Sequence, residues 1–224
     1  MTRPVMPLIL AVDTTSEYGS LALVRDGELL EEALLHAPGS FSPVLYEELA
    51  RLLERHGVKL ADVGCFAAAS GPGTFTGVRV ALGCVKGLAE AMGRPAVAVS
   101  NLEAVARYGT ALLRGAVLDA RRGEVYGAVY DDAGKLVTPE VVTKLAPWLE
   151  RLPAGVEEFL SNDLALVLAG TRFEGARIVT APRALAAAIA RIAGERLARG
   201  EASDAAGLDA NYVRRTDAEL ALKV

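Results

Sequence analysis

Two stretches of this chain repeat one another. VDTTSEYGSLALVRD (12–26) and LDARRGEVYGAVYDD (118–132) match in pattern without a gap, so that Asp13 falls on Asp119 and Val24 on Tyr130. Each is an apolar strand ending in Asp, a short polar turn, then an alternating apolar strand running into an Asp-Gly or Asp-Ala-Gly turn. A duplicated strand–turn–strand unit confines the chain to folds with two lobes of related build. A length of 224 residues supplies each lobe with a core of its own.

The first copy continues through recognisable elements. LILAVD (8–13), GSLALVR (19–25) and ELLEEALLH (28–36) read as three strands joined by tight turns and therefore antiparallel. Ser42–Pro43 opens a helix over 43–56, with Leu45, Leu49, Leu52 and Leu53 as its apolar stripe. CFAAAS (65–70) is a buried strand, 76–92 a second helix and AVAVS (96–100) a further strand. Ser100 with Glu103 forms a capping-box pattern for a helix over about 101–113. Strands separated by helices should be parallel. After the second copy come a strand at 136–142, a short helix at 144–151, a strand at 165–169 and a helix at 183–199. The expected fold is thus α/β: two tandem lobes, 1–103 and 104–224, each a mixed sheet with three leading antiparallel strands flanked by helices. They are expected to meet along a cleft. The tail is expected to return to the body, anchored by Tyr212 and Val213.

A strand ending in Asp at a tight turn, repeated in two lobes, is how actin-like ATPases and sugar kinases hold phosphate and metal. That chemistry favours glycine, which lets the backbone approach the phosphates. Here the turns read Asp13-Thr14-Thr15-Ser16 and Asp119-Ala120-Arg121-Arg122. Asp13, Thr14, Thr15 and Asp119 are the candidate cofactor-binding residues of a degenerate site. LAGTRFEG (168–175) offers only Gly170 where an adenine-binding turn would need a glycine pair, and reads better as a strand-to-loop glycine.

The string SGPGTFTGVRVALG (70–83) invites a nucleotide reading and fails both templates. A P-loop requires four residues between its glycines, then Lys and Ser or Thr; five separate Gly71 from Gly77, and Val78–Arg79 follow. A dinucleotide fingerprint requires glycine where Thr76 stands, and Pro72 removes a donor. Gly71, Pro72, Gly73 and Gly77 are read instead as shaping a strand-to-helix turn. Beyond it, Gly83, Gly87 and Ala91 make a line of small residues along the helix. Each interior helix glycine costs ~1 kcal/mol relative to alanine, which points to close approach by another helix.

Other chemistries find little. Cys65 and Cys84 lie in apolar runs without metal spacing, and His36 and His56 only flank a helix. No Gly-x-Ser-x-Gly elbow occurs. Ser42 and Ser70 have no evident base, and Glu124 reads equally as functional or as a polar strand start. A net charge of −4 disfavours broad nucleic-acid binding by this chain alone, and Arg121–Arg122 and Arg214–Arg215 read as solvated surface. The apolar start stops at Asp13, too short for a signal or membrane segment. A cytoplasmic protein without membrane association is expected.

LAVDTTSEYGSLALV, SGPGTFTGVRVALGCVKGLAEA, the VSNLEAVA helix start, LDARRGEVYGAVYD and ANYVRR (210–215) together resemble the bacterial TsaB (YeaZ) family. The resemblance covers the chain to about residue 132, and residues 133–200 match only in general pattern. It implies tandem RNase H-like lobes of the actin-like, sugar kinase and Hsp70 superfamily. It also implies a role in forming threonylcarbamoyladenosine at position 37 of tRNAs that read ANN codons. The family's catalytic paralogue, TsaD, carries a His-x-x-x-His metal pair on its first helix; GSFSPVLYEEL (39–49) has no histidine, and Phe41 departs from many TsaB sequences. The resemblance therefore implies a non-catalytic scaffold of TsaD, joined by the ATPase TsaE, with no catalytic or metal residues of its own. Homodimerisation is implied when TsaD is absent, with tRNA met only through the complex. No cofactor is expected to be tightly bound, ATP or ADP entering only in the complex. In the family the first two helices carry the interface, which maps here to Leu45, Leu49, Val78, Leu82, Gly83, Val85, Lys86, Gly87 and Glu90. The alternative is an ATP-dependent kinase or ATPase acting through Asp13 and Asp119; the old peptidase label finds no support in these residues.

Overall fold

The computed structural model describes residues 7–214 except 38, 163, 164 and 167. Three strands lead, as their turns require: β1 (Leu8–Asp13), β2 (Tyr18–Arg25) and β3 (Glu28–His36). Asp26 and Gly27 take positive φ between β2 and β3, the two-residue hairpin geometry that an Asp-Gly pair favours. Then follow α1 (Leu45–Arg55), β4 (Val63–Gly71), α2 (Phe75–Met92), β5 (Ala96–Ser100) and α3 (Asn101–Ala106). The sheet runs β3-β2-β1-β4-β5, antiparallel across β1–β2–β3 and parallel across β1–β4–β5.

The second half repeats the three leading strands and the helix after them, but among the described residues no helix separates its last two strands. β6 (Leu113–Arg121), β7 (Glu124–Asp131) and β8 (Leu136–Thr143) precede α4 (Leu145–Arg151), β9 (Glu158–Ser161), β10 (Arg177–Thr180) and α5 (Ala186–Ala198). Its sheet runs β10-β9-β6-β7-β8 with the matching pattern of parallel and antiparallel pairs. Two five-stranded mixed sheets of one strand order establish the duplication as structural.

Several expected boundaries move. α1 begins at Leu45, because residues 42–44 form a turn whose amides at Val44 and Leu45 donate to the Phe41 carbonyl. The helix expected over 101–113 ends at Ala106. Ser100 accepts the Leu102 N–H as anticipated, whereas Glu103 pairs with Arg196. No strand forms at 165–169 among the described residues; the pairing partners in that lobe are Glu158–Ser161 and Arg177–Thr180. Both are only four residues long, too short for a periodic signal.

The larger correction concerns α5. The chain divides into one compact unit of residues 1–104 with 183–210, and another of 105–182 with 211–224. The expected second lobe of 104–224 thus loses its strongest helix to the first. In that first unit, α1 and α2 cover the face bearing Leu10, Val12, Leu21, Leu23 and Phe66. α5 covers the other face, packing on β1, β2, β4 and β5. Strand alternation puts Ala22, Ala11 and Ala67 in one row beneath it, and α5 answers with Ala186, Ala190 and Ala193. Small residues on both sides let helix and sheet approach closely. The amides of Leu185 and Ala186 donate to the Ser20 hydroxyl (3.1 and 3.0 Å), and that of Ala187 donates to the Glu32 carboxylate (2.7 Å). These satisfy N-terminal donors that a helix leaves unpaired. Downstream, Ser203 bridges to Ala96 at the β5 edge and Leu208 is buried.

In the second unit, α4 sets Trp148 against glycines of the sheet. A Cβ at Gly127 would stand 2.5 Å from the indole, and one at Gly115 would stand 2.6 Å from the Phe159 ring. Phe159 meets Trp148 and Phe173 edge-on. Glu158 is fully buried. Burial opposes its ionisation, but the N–H groups of Ala111 and Thr110 and the Arg177 guanidinium outweigh that and hold the carboxyl below its usual range.

A fragment of residues 1–104 is expected to be unfolded by circular dichroism. The same fragment joined by a flexible linker to 183–210 should show native helix and strand signal, because α5 then covers the alanine face.

Candidate functional site

The turn after β1 is turned inward. Asp13, Thr14 and Thr15 are all buried, with exposures of 2%, 0% and 3%. Asp13 Oδ1 accepts the Thr15 N–H (2.9 Å) and the Thr15 hydroxyl (2.6 Å). The Asn101 amide donates to Thr15 Oγ1 (2.8 Å) and Asp13 Oδ2 (3.4 Å), while its carbonyl oxygen accepts the Gly71 N–H (3.0 Å). Burial raises the Asp13 carboxyl above its usual range, with Thr15 and Asn101 pulling the other way.

The glycine string docks on this turn. The N–H of Thr74, which caps α2, donates to the Thr15 carbonyl (2.7 Å), and the Thr14 hydroxyl donates to the Gly77 carbonyl (2.7 Å). A Cβ at Gly73 would lie 2.5 Å from the Thr15 carbonyl oxygen, and one at Gly77 would lie 2.0 Å from that of Thr14. These two glycines make room for protein backbone where a phosphate-binding loop would make room for a ligand.

Asp119 does not repeat Asp13. α1 follows the third strand of its sheet and packs on the face of Leu10 and Val12; α4 follows the third strand of its own and packs on the face of Gly115 and Val117. The cross-strand partners agree, since Leu10 pairs with Phe66 as Gly115 pairs with Phe159. Matching the sheets by face puts Leu118, not Asp119, where Asp13 stands. The gapless superposition of the sequences is therefore one residue out of phase in β6, and a one-residue slip reverses the face. Asp119 instead closes its own turn, accepting the Arg121 N–H (2.8 Å). Arg121 and Arg122 both take positive φ (64° and 57°) there.

The α1–α2 surface also needs correction. Leu45, Leu49, Val78, Leu82 and Val85 lie in the core of the first unit, so they hold the helices on the sheet and present nothing outward. Gly83 and Gly87 are exposed with nothing within 4 Å of a Cβ built on either; Glu90 is exposed and Lys86 half-buried. Among the described residues, no helix makes the contact that the small-residue line predicts. Tyr46, 58% exposed on α1 and hydrogen-bonded to Cys84 of α2, was not anticipated. It stands one position beyond the leucine stripe, where residue type alone gives no signal.

Elsewhere, burial pushes the Cys65 thiol up to about 12 and that of Cys84 to about 11, so neither is a nucleophile at neutral pH. His56 pairs with Glu31 (2.8 Å) beside Arg55, and Glu124 pairs with Arg214 (2.7 Å). Tyr212 is 44% exposed, and beside it Asn211 bonds to Glu140 and Arg214 to Glu124. Arg215 lies outside the described residues. Among the described residues no group of three His, Cys, Asp or Glu could hold a metal ion, and no helix is long and apolar enough to cross a membrane.

Residues 38–204 match the family model described as TsaD, tRNA N6-adenosine threonylcarbamoyltransferase. The Bacillus subtilis tRNA threonylcarbamoyladenosine biosynthesis protein TsaB is 32% identical over 225 residues, covering 94% of this chain and 96% of that protein. The chain belongs to the TsaB family. The Escherichia coli TsaB is 37% identical over 126 residues, 54% of each chain. The solved structure of YeaZ from Pseudomonas aeruginosa aligns with a TM-score of 0.75 at 29% identity, over 92% of this chain and 100% of that one. In this TsaB-family chain, LAVDTTSEYGSLALV, SGPGTFTGVRVALGCVKGLAEA and VSNLEAVA meet at the inward-turned Asp13 turn.

Two substitutions on α2 should separate its inner and outer faces in urea unfolding. Gly77→Ala is expected to lose about 3 kcal/mol, because backbone must move to admit the methyl. Gly87→Ala, with open space around it, should gain up to about 1 kcal/mol from helix propensity. The raised carboxyl of Asp13 has a definite sign in pH titration. Its contribution is fully present below the ordinary value of 3.8 and is lost as pH rises through the raised folded value. Asp13→Asn should flatten that decline.

Proposed function

We propose that this TsaB-family chain is a non-catalytic protein partner of a TsaD-type tRNA N6-adenosine threonylcarbamoyltransferase, required for threonylcarbamoyladenosine formation in tRNA. The observation that carries the reading is the outer face of α2. Gly83 and Gly87 lie open on it beside the exposed Tyr46, and each glycine lowers helix stability without serving a contact among the described residues. A second helix can approach such a surface more closely than one bearing side chains. In this reading TsaD takes the α1–α2 face, TsaE joins the assembly, and a second copy of the chain covers the face when TsaD is absent. The tRNA is met through the complex.

The kinase or ATPase reading is disfavoured by the two turns. The Asp13 carboxylate and the hydroxyls of Thr14 and Thr15 already have protein partners, and Asp119 stands out of phase with the position such a site requires. We propose that the first turn is a structural relic that fixes the glycine string. ATP or ADP, if bound, would belong to the assembled complex.

Co-purification with the cognate TsaD is expected to give a stoichiometric complex that Gly87→Leu disrupts while the variant remains folded. A folded Gly87→Leu chain that binds TsaD normally would overturn the interface assignment. Omitting this chain from a reconstitution containing TsaD, TsaE, tRNA, ATP and threonylcarbamoyl-adenylate should abolish modification.

A further inference from the structure

Asn101 joins three segments at the ends of the neighbouring strands β1, β4 and β5. It stands at the start of α3, immediately after β5 and 88 positions from Asp13. Its side chain is 2% exposed and makes three hydrogen bonds: two donated, to Thr15 and Asp13 in the β1–β2 turn, and one accepted, from Gly71 at the end of β4. An amide suits this place because it alone offers an acceptor to one segment and donors to another. A carboxylate could not donate to Asp13, and an alanine would leave the Gly71 N–H and the Asp13 carboxylate short of buried partners.

The consequence reaches α2. The turn held by Asn101 carries the Thr15 carbonyl that receives the capping residue's N–H, and the Thr14 hydroxyl that bonds the Gly77 carbonyl in the helix's first turn. Gly73 and Gly77 admit the turn so closely that no slack remains for a different helix pose. The outer face with Gly83 and Gly87 lies two to three turns further along the same rigid helix. We propose that the buried Asp13–Thr15–Asn101 lock sets the pose in which α2 presents its outer face, and that Asn101 is a positioning residue for partner binding. The proposal rests on the partner reading above and gives Asp13 a positioning use.

The test compares Asn101→Asp, which sets a second carboxylate against Asp13, with the exchanged pair Asp13→Asn plus Asn101→Asp, which restores one amide and one acid. The control is Ile192→Ala, which removes core volume beneath α5 and leaves the lock intact. Affinity for the cognate TsaD is measured by calorimetry, and amide exchange over Thr74–Ala81 is measured on the free chain. Asn101→Asp is expected to weaken binding roughly tenfold or more and to speed exchange in that segment, with the exchanged pair recovering to within about threefold. Ile192→Ala should lower the melting temperature at least as much while keeping the parent affinity. Unchanged binding or exchange in Asn101→Asp would overturn the proposal. So would a loss no larger than that of Ile192→Ala, or an exchanged pair that recovers nothing. Should the parent chain itself fail to bind TsaD, the partner reading falls, and the exchange data on the free chain still decide the lock.

Discussion

The contact between the Asp13-Thr14-Thr15 turn and the glycine string is the constraint on which the first unit depends. It brings the end of β1, the start of α2 and the start of α3 into one buried polar cluster. Buried polar groups are costly unless each finds a partner, and here the turn, the string and Asn101 supply partners for one another. Glycine at 73 and 77 is required by proximity: the backbone oxygens of Thr14 and Thr15 occupy the space a side chain would need. A motif that resembles a phosphate cradle in sequence is filled, in space, by the chain's own backbone.

The two units solve the same packing problem differently. Both sheets share one strand order, yet on the matching face the first packs α1 leucines against Leu10 and Val12, while the second buries Trp148 against Gly115 and Gly127. Divergence after duplication has thus kept the strand order and changed the side chains that cover it. The out-of-phase Asp119 belongs to that divergence. Once the acidic residue stands one position along, it serves its own turn and no longer repeats the first.

The antiparallel run of leading strands and the open glycine line on α2 are legible in the sequence because both are written in local patterns: tight turns between apolar runs, and glycine spaced by four in a helix. The aspartate equivalence is misread because alternation carries little information where a strand is buried on both faces, as the middles of β6 and β7 are. β9 and β10 were missed for brevity. The interface leucines were assigned to the wrong side because an apolar stripe marks a buried face without saying what buries it. Asn101 carried no signal, since a lone asparagine at a helix start reads as a cap.

Most of the N-terminal sheet is translated long before the helix that covers its second face. Residues 105–182, the greater part of the second unit, lie between Ala104 and Arg183. At about 5–20 residues per second, the alanine row of β1, β2 and β4 waits on the order of five to twenty seconds for α5 to leave the ribosome. The chain is therefore born with its first unit open on one side, and its two units must mature in an order opposite to their synthesis or together.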